Sequence, residues 1–268
     1  MRKILLSLLT VSAVAVVAVV ATGAYFNDVE TSTGNTFIAG ELDLQVDNTC
    51  HYWTDADADG TYTDIGCAWD GQGDPIQEAN WDLTDLENGV HKFFNFGDIK
   101  PGDYGEDTVS LHVDNDAWLR LDIDVTQDLD TTCTEPESDI AVDDPECDAV
   151  PGLPGDGELR ENLLFTVWLD EGVSPGFQGP QDLSECDNDF ISEFEPEIIS
   201  EGPIDPGGEN WELAQFSGYP YLLAGDTACF GIAWTLPADV GNEVQTDTFV
   251  GDMSFLVQQH RNNPNPLW

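Results

Sequence analysis

The chain has 268 residues, and its 53 acidic side chains outnumber 7 basic ones to give a formal charge of −46. Such an excess excludes nucleic acid as a partner, because that affinity rests on Lys and Arg neutralising phosphates. It also points to a salty working medium, resembling halophile composition, since near molar ionic strength the Debye length falls to ~3 Å and self-repulsion is screened.

Met1-Arg2-Lys3 forms a basic start, followed by an apolar run from Ile4 to Ala21 that ends in the small residues Ala21-Thr22-Gly23-Ala24. This is the layout of an export signal helix. The run approaches the ~20 residues of a membrane span, so a retained anchor is the alternative. No basic stop follows, however, and the next charges are Asp28 and Glu30. We expect residues 1–24 to be removed by signal peptidase between Ala24 and Tyr25. Residues 25–268 would then form a single domain, secreted to the extracellular space or the cell surface, with no stable membrane span.

Period-two alternation, the signature of half-buried strands, runs along the rest of the chain. It is seen at Leu42, Leu44 and Val46, at Val109, Leu111 and Val113, and from Leu119 through Leu121 and Ile123 to Val125. It returns at Leu163, Phe165, Val167 and Leu169, at Phe230, Ile232 and Trp234, and at Met253, Phe255 and Val257. Polar residues fill most intervening positions, as in antiparallel sheets with one wet face. Lys100-Pro101-Gly102-Asp103 reads as a type II turn, with Gly at the positive-φ position, and Ala224-Gly225-Asp226 reads as a second turn. Asn80 to Asn88 is the one stretch that could form a short helix. The expected fold is all-β: a jelly-roll-like, two-sheet antiparallel sandwich. Long acidic loop insertions are expected at residues 48–80, 127–156 and 171–218, each carrying at least one cysteine.

An even count of six cysteines in an exported chain favours disulfides. Loop proximity suggests pairing Cys50 with Cys67, Cys133 with Cys147, and Cys186 with Cys229. No CxxC pair or HExxH motif supports zinc. The run Asp55-Ala56-Asp57-Ala58-Asp59-Gly60 matches the opening of a calcium loop, in which alternate carboxylates converge on a hard cation. Position twelve is Gly66 rather than Glu, so Asp64 or Asp70 would have to complete the set. Calcium is the cofactor this pattern admits.

Enzymatic signatures are absent: there is no GxSxG elbow and no Gly-rich phosphate loop, and His51, His91, His112 and His260 are scattered. No catalytic residue is assigned, and His112 reads as a solvated strand residue. Most tryptophans, including Trp118, Trp168 and Trp234, read as core residues. Trp53 and Trp81 are the ones that could stack on sugars.

Three stretches resemble the TasA/camelysin family. The first is Ala24-Tyr25-Phe26-Asn27-Asp28, followed by Thr31 to Phe37 and Ala39 to Leu44. The second is Phe96 to Asp103 with Val113 to Asp116. The third is Ala233 to Pro237 with Gln245-Thr246-Asp247 and Phe255. The resemblance implies export through a SipW-type signal peptidase and a jelly-roll subunit that homopolymerises into extracellular or biofilm-matrix fibres. It implies a donor strand at about Tyr25 to Phe37, with Phe26 and Phe37 as plugs that complete the sheet of a neighbouring copy. The name camelysin also carries a claim of metalloprotease activity, to which the absent zinc motif lends nothing. A monomeric carbohydrate- or surface-binding module is a further alternative.

Overall fold

A computed structural model describes residues 42–55, 57, 59–67, 80–87, 90–132, 137, 157–172, 186–216 and 220–268. The expected signal segment, the expected Ala24/Tyr25 cleavage point, the expected donor segment with Phe26 and Phe37, and the expected pair Cys133 and Cys147 lie outside these residues. None of the helices among the described residues is long and apolar enough to cross a membrane.

The protein is an all-β sandwich of two antiparallel sheets. The larger sheet is built on β1 (Leu44–Thr54) and β4 (Tyr104–Val113), which pair in unbroken register from Leu44 opposite Val113 to Trp53 opposite Tyr104. It continues through β9 (Thr227–Thr235), β6 (Leu164–Asp170) and β7 (Glu197–Gly202). At its other edge the short strands β2 (Thr63–Asp64) and β3 (Trp81–Thr84) both pair with β1. The smaller sheet has the order β10 (Asp247–Gln259), β5 (Ala117–Asp130), β8 (Glu209–Glu212).

The alternating residues meet between the sheets. Val109, Leu111, Leu119, Leu121, Leu169 and Phe230 are all buried in one core cluster. Each such side chain contributes roughly 1.5–3 kcal/mol by leaving water. A second cluster gathers Tyr52, Trp234 and Leu236 around the Cys50–Cys67 bridge, with Phe96 packed against them. The Tyr52 hydroxyl donates to Asp103 at 2.7 Å, and Asp103 also accepts the Lys100 N–H at 2.8 Å. This ties the core to the Lys100–Asp103 turn, whose Gly102 has φ +99° and whose Asp103 N–H reaches the Lys100 carbonyl at 2.9 Å.

Several expectations change. Residues 81–84 form β3, not a helix; pairing with β1 and packing of Trp81 on Phe93 outweigh a weak local pattern. The insertions are also shorter than composition suggested. Residues 48–54 continue β1 and bury Asn48, Cys50 and Tyr52, while β5 extends to Asp130. The third stretch supplies β7, β8 and the core residues Trp211 and Leu213. Polar and aromatic residues at inward positions hid these strands.

The outer face of the larger sheet is not uniformly wet. On β9 even Cys229, between the inward Ala228 and Phe230, is fully buried, because the segment from Cys186 to Glu195 lies over it. The Trp168 indole packs flat across Gly231, where an added Cβ would lie within 2.0–2.6 Å of three ring atoms. Phe190 covers the indole at a centroid distance of 5.5 Å. Gly231→Ala is therefore expected to cost about 1–3 kcal/mol by overpacking, read as a lower denaturant midpoint at unchanged slope. A midpoint equal to that of the parent would mean that Trp168 moves aside freely.

Candidate functional site

The Cys186–Cys229 bridge pins one loop to the sheet and creates a cleft of about 440 Å³. One wall is the outer face of β1 and β4, where alternation turns Thr49, His51, Trp53, Glu106 and Thr108 away from the core; Asp64 of β2 joins them. Cys186, Asp187 and Asn188 complete the lining.

His51 sits between two carboxylates. Its Nδ1 lies 2.7 Å from Asp64 Oδ2 and its Nε2 lies 3.9 Å from Glu106 Oε1. Asp64 is itself held by the Gly66 N–H at 2.9 Å. Burial raises the Asp64 carboxyl, but hydrogen bonds from His51 and Gly66 outweigh it and leave it below the ordinary value. Glu106 behaves oppositely: burial pushes its carboxyl up to about 7, with Asp64, Asp170 and Asp189 adding to the rise against the pull of His51. Its Oε2 is buried without a hydrogen-bond partner.

Beside the cleft, Asp170, Asp187 and Glu195 bring ligand oxygens within 4.8 Å of one another. Asp170 accepts N–H groups from Gly172 and Asn188, and Glu195 accepts those of Glu171 and Ile191 at 3.0 and 2.6 Å. Burial nonetheless raises both carboxyls. Sequence reasoning missed this group. Its one readable signal was a cysteine set directly before Asp187-Asn188-Asp189.

Of the expected calcium ligands, Asp55, Asp57 and Asp59 do converge within 4.8 Å. The Asp55 carboxylate accepts the N–H groups of Asp59 at 3.0 Å and Gly60 at 2.8 Å, closing a loop that turns at Gly60, φ +85°. Asp64 does not join them, because β-pairing of Asp64 with Trp53 aims it at His51 instead.

The other outward histidine forms no nucleophilic triad. His112 Nε2 lies 3.3 Å from Asp47, and the Ser110 hydroxyl is bonded to that same Asp47, not to the imidazole. A nucleophile needs its base within reach, so this is a hydrogen-bonded polar cluster around Asp47. Of the possible sugar platforms, Trp53 lies on the cleft wall with its ring stacked on Tyr104 at 5.2 Å. Trp81 instead packs against the core. Set against known proteins, the chain matches no family model and no curated sequence.

Proposed function

We propose that this chain is a secreted structural subunit that assembles with copies of itself into extracellular or matrix fibres, without catalytic activity. The observation that carries this reading is the edge strand β10. It runs for 13 residues and, among the described residues, pairs with β5 alone. Its Phe249, Met253, Phe255 and Val257 pack against the core but remain only partly buried. A long edge offers unpaired backbone groups to another chain, and strand addition satisfies them while covering alternate side chains. The resemblance of the N-terminal region to the TasA/camelysin family supplies the occupant: residues 25–37 of a neighbouring copy, with Phe26 and Phe37 seated against the smaller sheet.

Charge explains why such assembly would need salt or calcium. On the exposed face of the smaller sheet Asp252 stands directly opposite Asp124, and like charges so placed repel. Calcium at Asp55, Asp57 and Asp59 belongs to the same reading, as one more means of neutralising the surface. Two disulfides fit an oxidising location outside the cytoplasm.

The test is negative-stain microscopy of the mature chain beside a form lacking residues 25–37, both in molar salt with and without calcium. Filaments are expected from the first and monomers from the second. Equal polymerisation of both, or none from either, would sink the donor-strand reading. In the latter case, glycan binding lost in Trp53→Ala would move the assignment to a carbohydrate-binding module.

A further inference from the structure

We propose that the cleft beside the Cys186–Cys229 bridge binds a divalent transition-metal ion of the zinc class, ligated by His51 Nε2 and the Glu106 carboxylate. This site is independent of the fibre reading, which stands or falls on the N-terminal segment and β10.

The orientation of His51 is the first support. With Nδ1–H donating to Asp64 at 2.7 Å, a neutral imidazole presents the lone pair of Nε2 to the cleft. A carboxylate behind a histidine, itself anchored by a backbone N–H, is the usual outer arrangement of a metal-bound imidazole. Here Asp64 is anchored by the Gly66 N–H at 2.9 Å.

Glu106 is the second support. Its side chain is only 14% exposed, and its buried Oε2 has no hydrogen-bond partner. A buried carboxylate oxygen left in that state is costly when ionised, and a proton or a cation completes it. Nε2 and Oε1 are 3.9 Å apart, a span that one ion at ~2.0–2.2 Å from each ligand can bridge. Water would fill the remaining coordination positions.

The donor set also selects the ion. Oxygen-only clusters such as Asp55, Asp57 and Asp59 suit calcium or magnesium, whereas an imidazole ligand favours zinc, copper, nickel or cobalt. A chain of this charge attracts every cation, so nitrogen ligation is what separates a built site from general adsorption.

The experiment uses the full mature chain in molar sodium chloride, titrated with Co²⁺ by visible absorption and with Cu²⁺ by electron paramagnetic resonance. One tight site with imidazole nitrogen coupling is expected, undisturbed by a hundredfold excess of Mg²⁺. His51→Ala and His51→Gln should abolish the nitrogen coupling and weaken Co²⁺ binding at least tenfold. The same weakening is expected of Glu106→Gln, and a loss of roughly 10–100-fold of Asp64→Asn, which acts by positioning His51. His112→Ala should match the parent. His51 is 42% exposed, so its variants should melt as the parent does, which thermal unfolding checks. Nitrogen coupling that survives His51→Gln, displacement by Mg²⁺, an equal loss in His112→Ala, or no binding at all would overturn the site.

Discussion

Removing the Cys186–Cys229 bridge, as Cys186→Ala with Cys229→Ala, is expected to lower the unfolding free energy by about 4 kcal/mol. The bridge closes a loop with a sequence separation of 43, against 17 for Cys50–Cys67. Chain-entropy reasoning then gives about 4 kcal/mol for the longer loop and about 3 kcal/mol for the shorter. The native state adds to the contrast. Cys229 is fully buried on the central strand β9, and the segment it holds covers Trp168. Its loss therefore exposes an indole as well as freeing a chain. Denaturant titration of both double variants, with fluorescence quenching to follow Trp168, measures this. A Cys186/Cys229 variant that loses less than the Cys50/Cys67 variant would show that the stapled segment contributes little to the fold.

The second large effect is on pH. Stability should be greatest at mildly acidic pH and fall as pH rises from about 4 through neutrality. Asp107 is the main cause. It projects inward from β4, opposite Cys50 and Ile232, and is fully buried. Burial holds its carboxyl well above the ordinary value; the Asn48 hydrogen bond lowers it in part and the charge of Glu106 raises it further. Asp247 is pushed up to about 7 by burial, with Asp130 and Glu137 adding to the rise against the N–H groups of Leu159 and Glu158. In the unfolded chain both ionise near pH 4. A raised folded value means that the folded state binds the extra proton, so the contribution is complete below pH 4. It is lost as pH climbs through the raised values, about 7 for Asp247. For buried Asp107 the slope approaches about 1.4 kcal/mol per pH unit within that window. Asp107→Asn should therefore raise the melting temperature at pH 8 and leave it unchanged near pH 4. A variant that melts lower than the parent at pH 8 would mean the carboxylate is needed ionised, as for a bound cation.

The core strands were legible because water on one side and apolar packing on the other impose alternation. Val109 to Val113 and Leu119 to Ile123 show it directly. Two of the three disulfides expected from loop proximity, Cys50–Cys67 and Cys186–Cys229, are present. What could not be read was where strands continue through unpromising composition. Asn48, Asp107 and Thr54 occupy inward positions that any hydrophobic pattern marks as loop or outer face. The candidate site was hidden for a different reason. His51, Asp64, Glu106 and Asp187 are brought together only by strand pairing and by a disulfide. Among so many carboxylates nothing in the order of residues distinguishes these from their neighbours. The aspartate triplet at 55, 57 and 59 could be read because its geometry is local, within one turn of chain.

The lining of the cleft comes from distant parts of the chain, and a sulfur–sulfur bond ties one part to the sheet. The depth of the site is thus conditional on surroundings that keep cysteine oxidised. In a reducing compartment the arm carrying Asp187 would be free to lift, and His51 and Glu106 would stand on an open sheet surface. An oxidising location would then do more than preserve the fold: by its chemistry it would finish building the pocket.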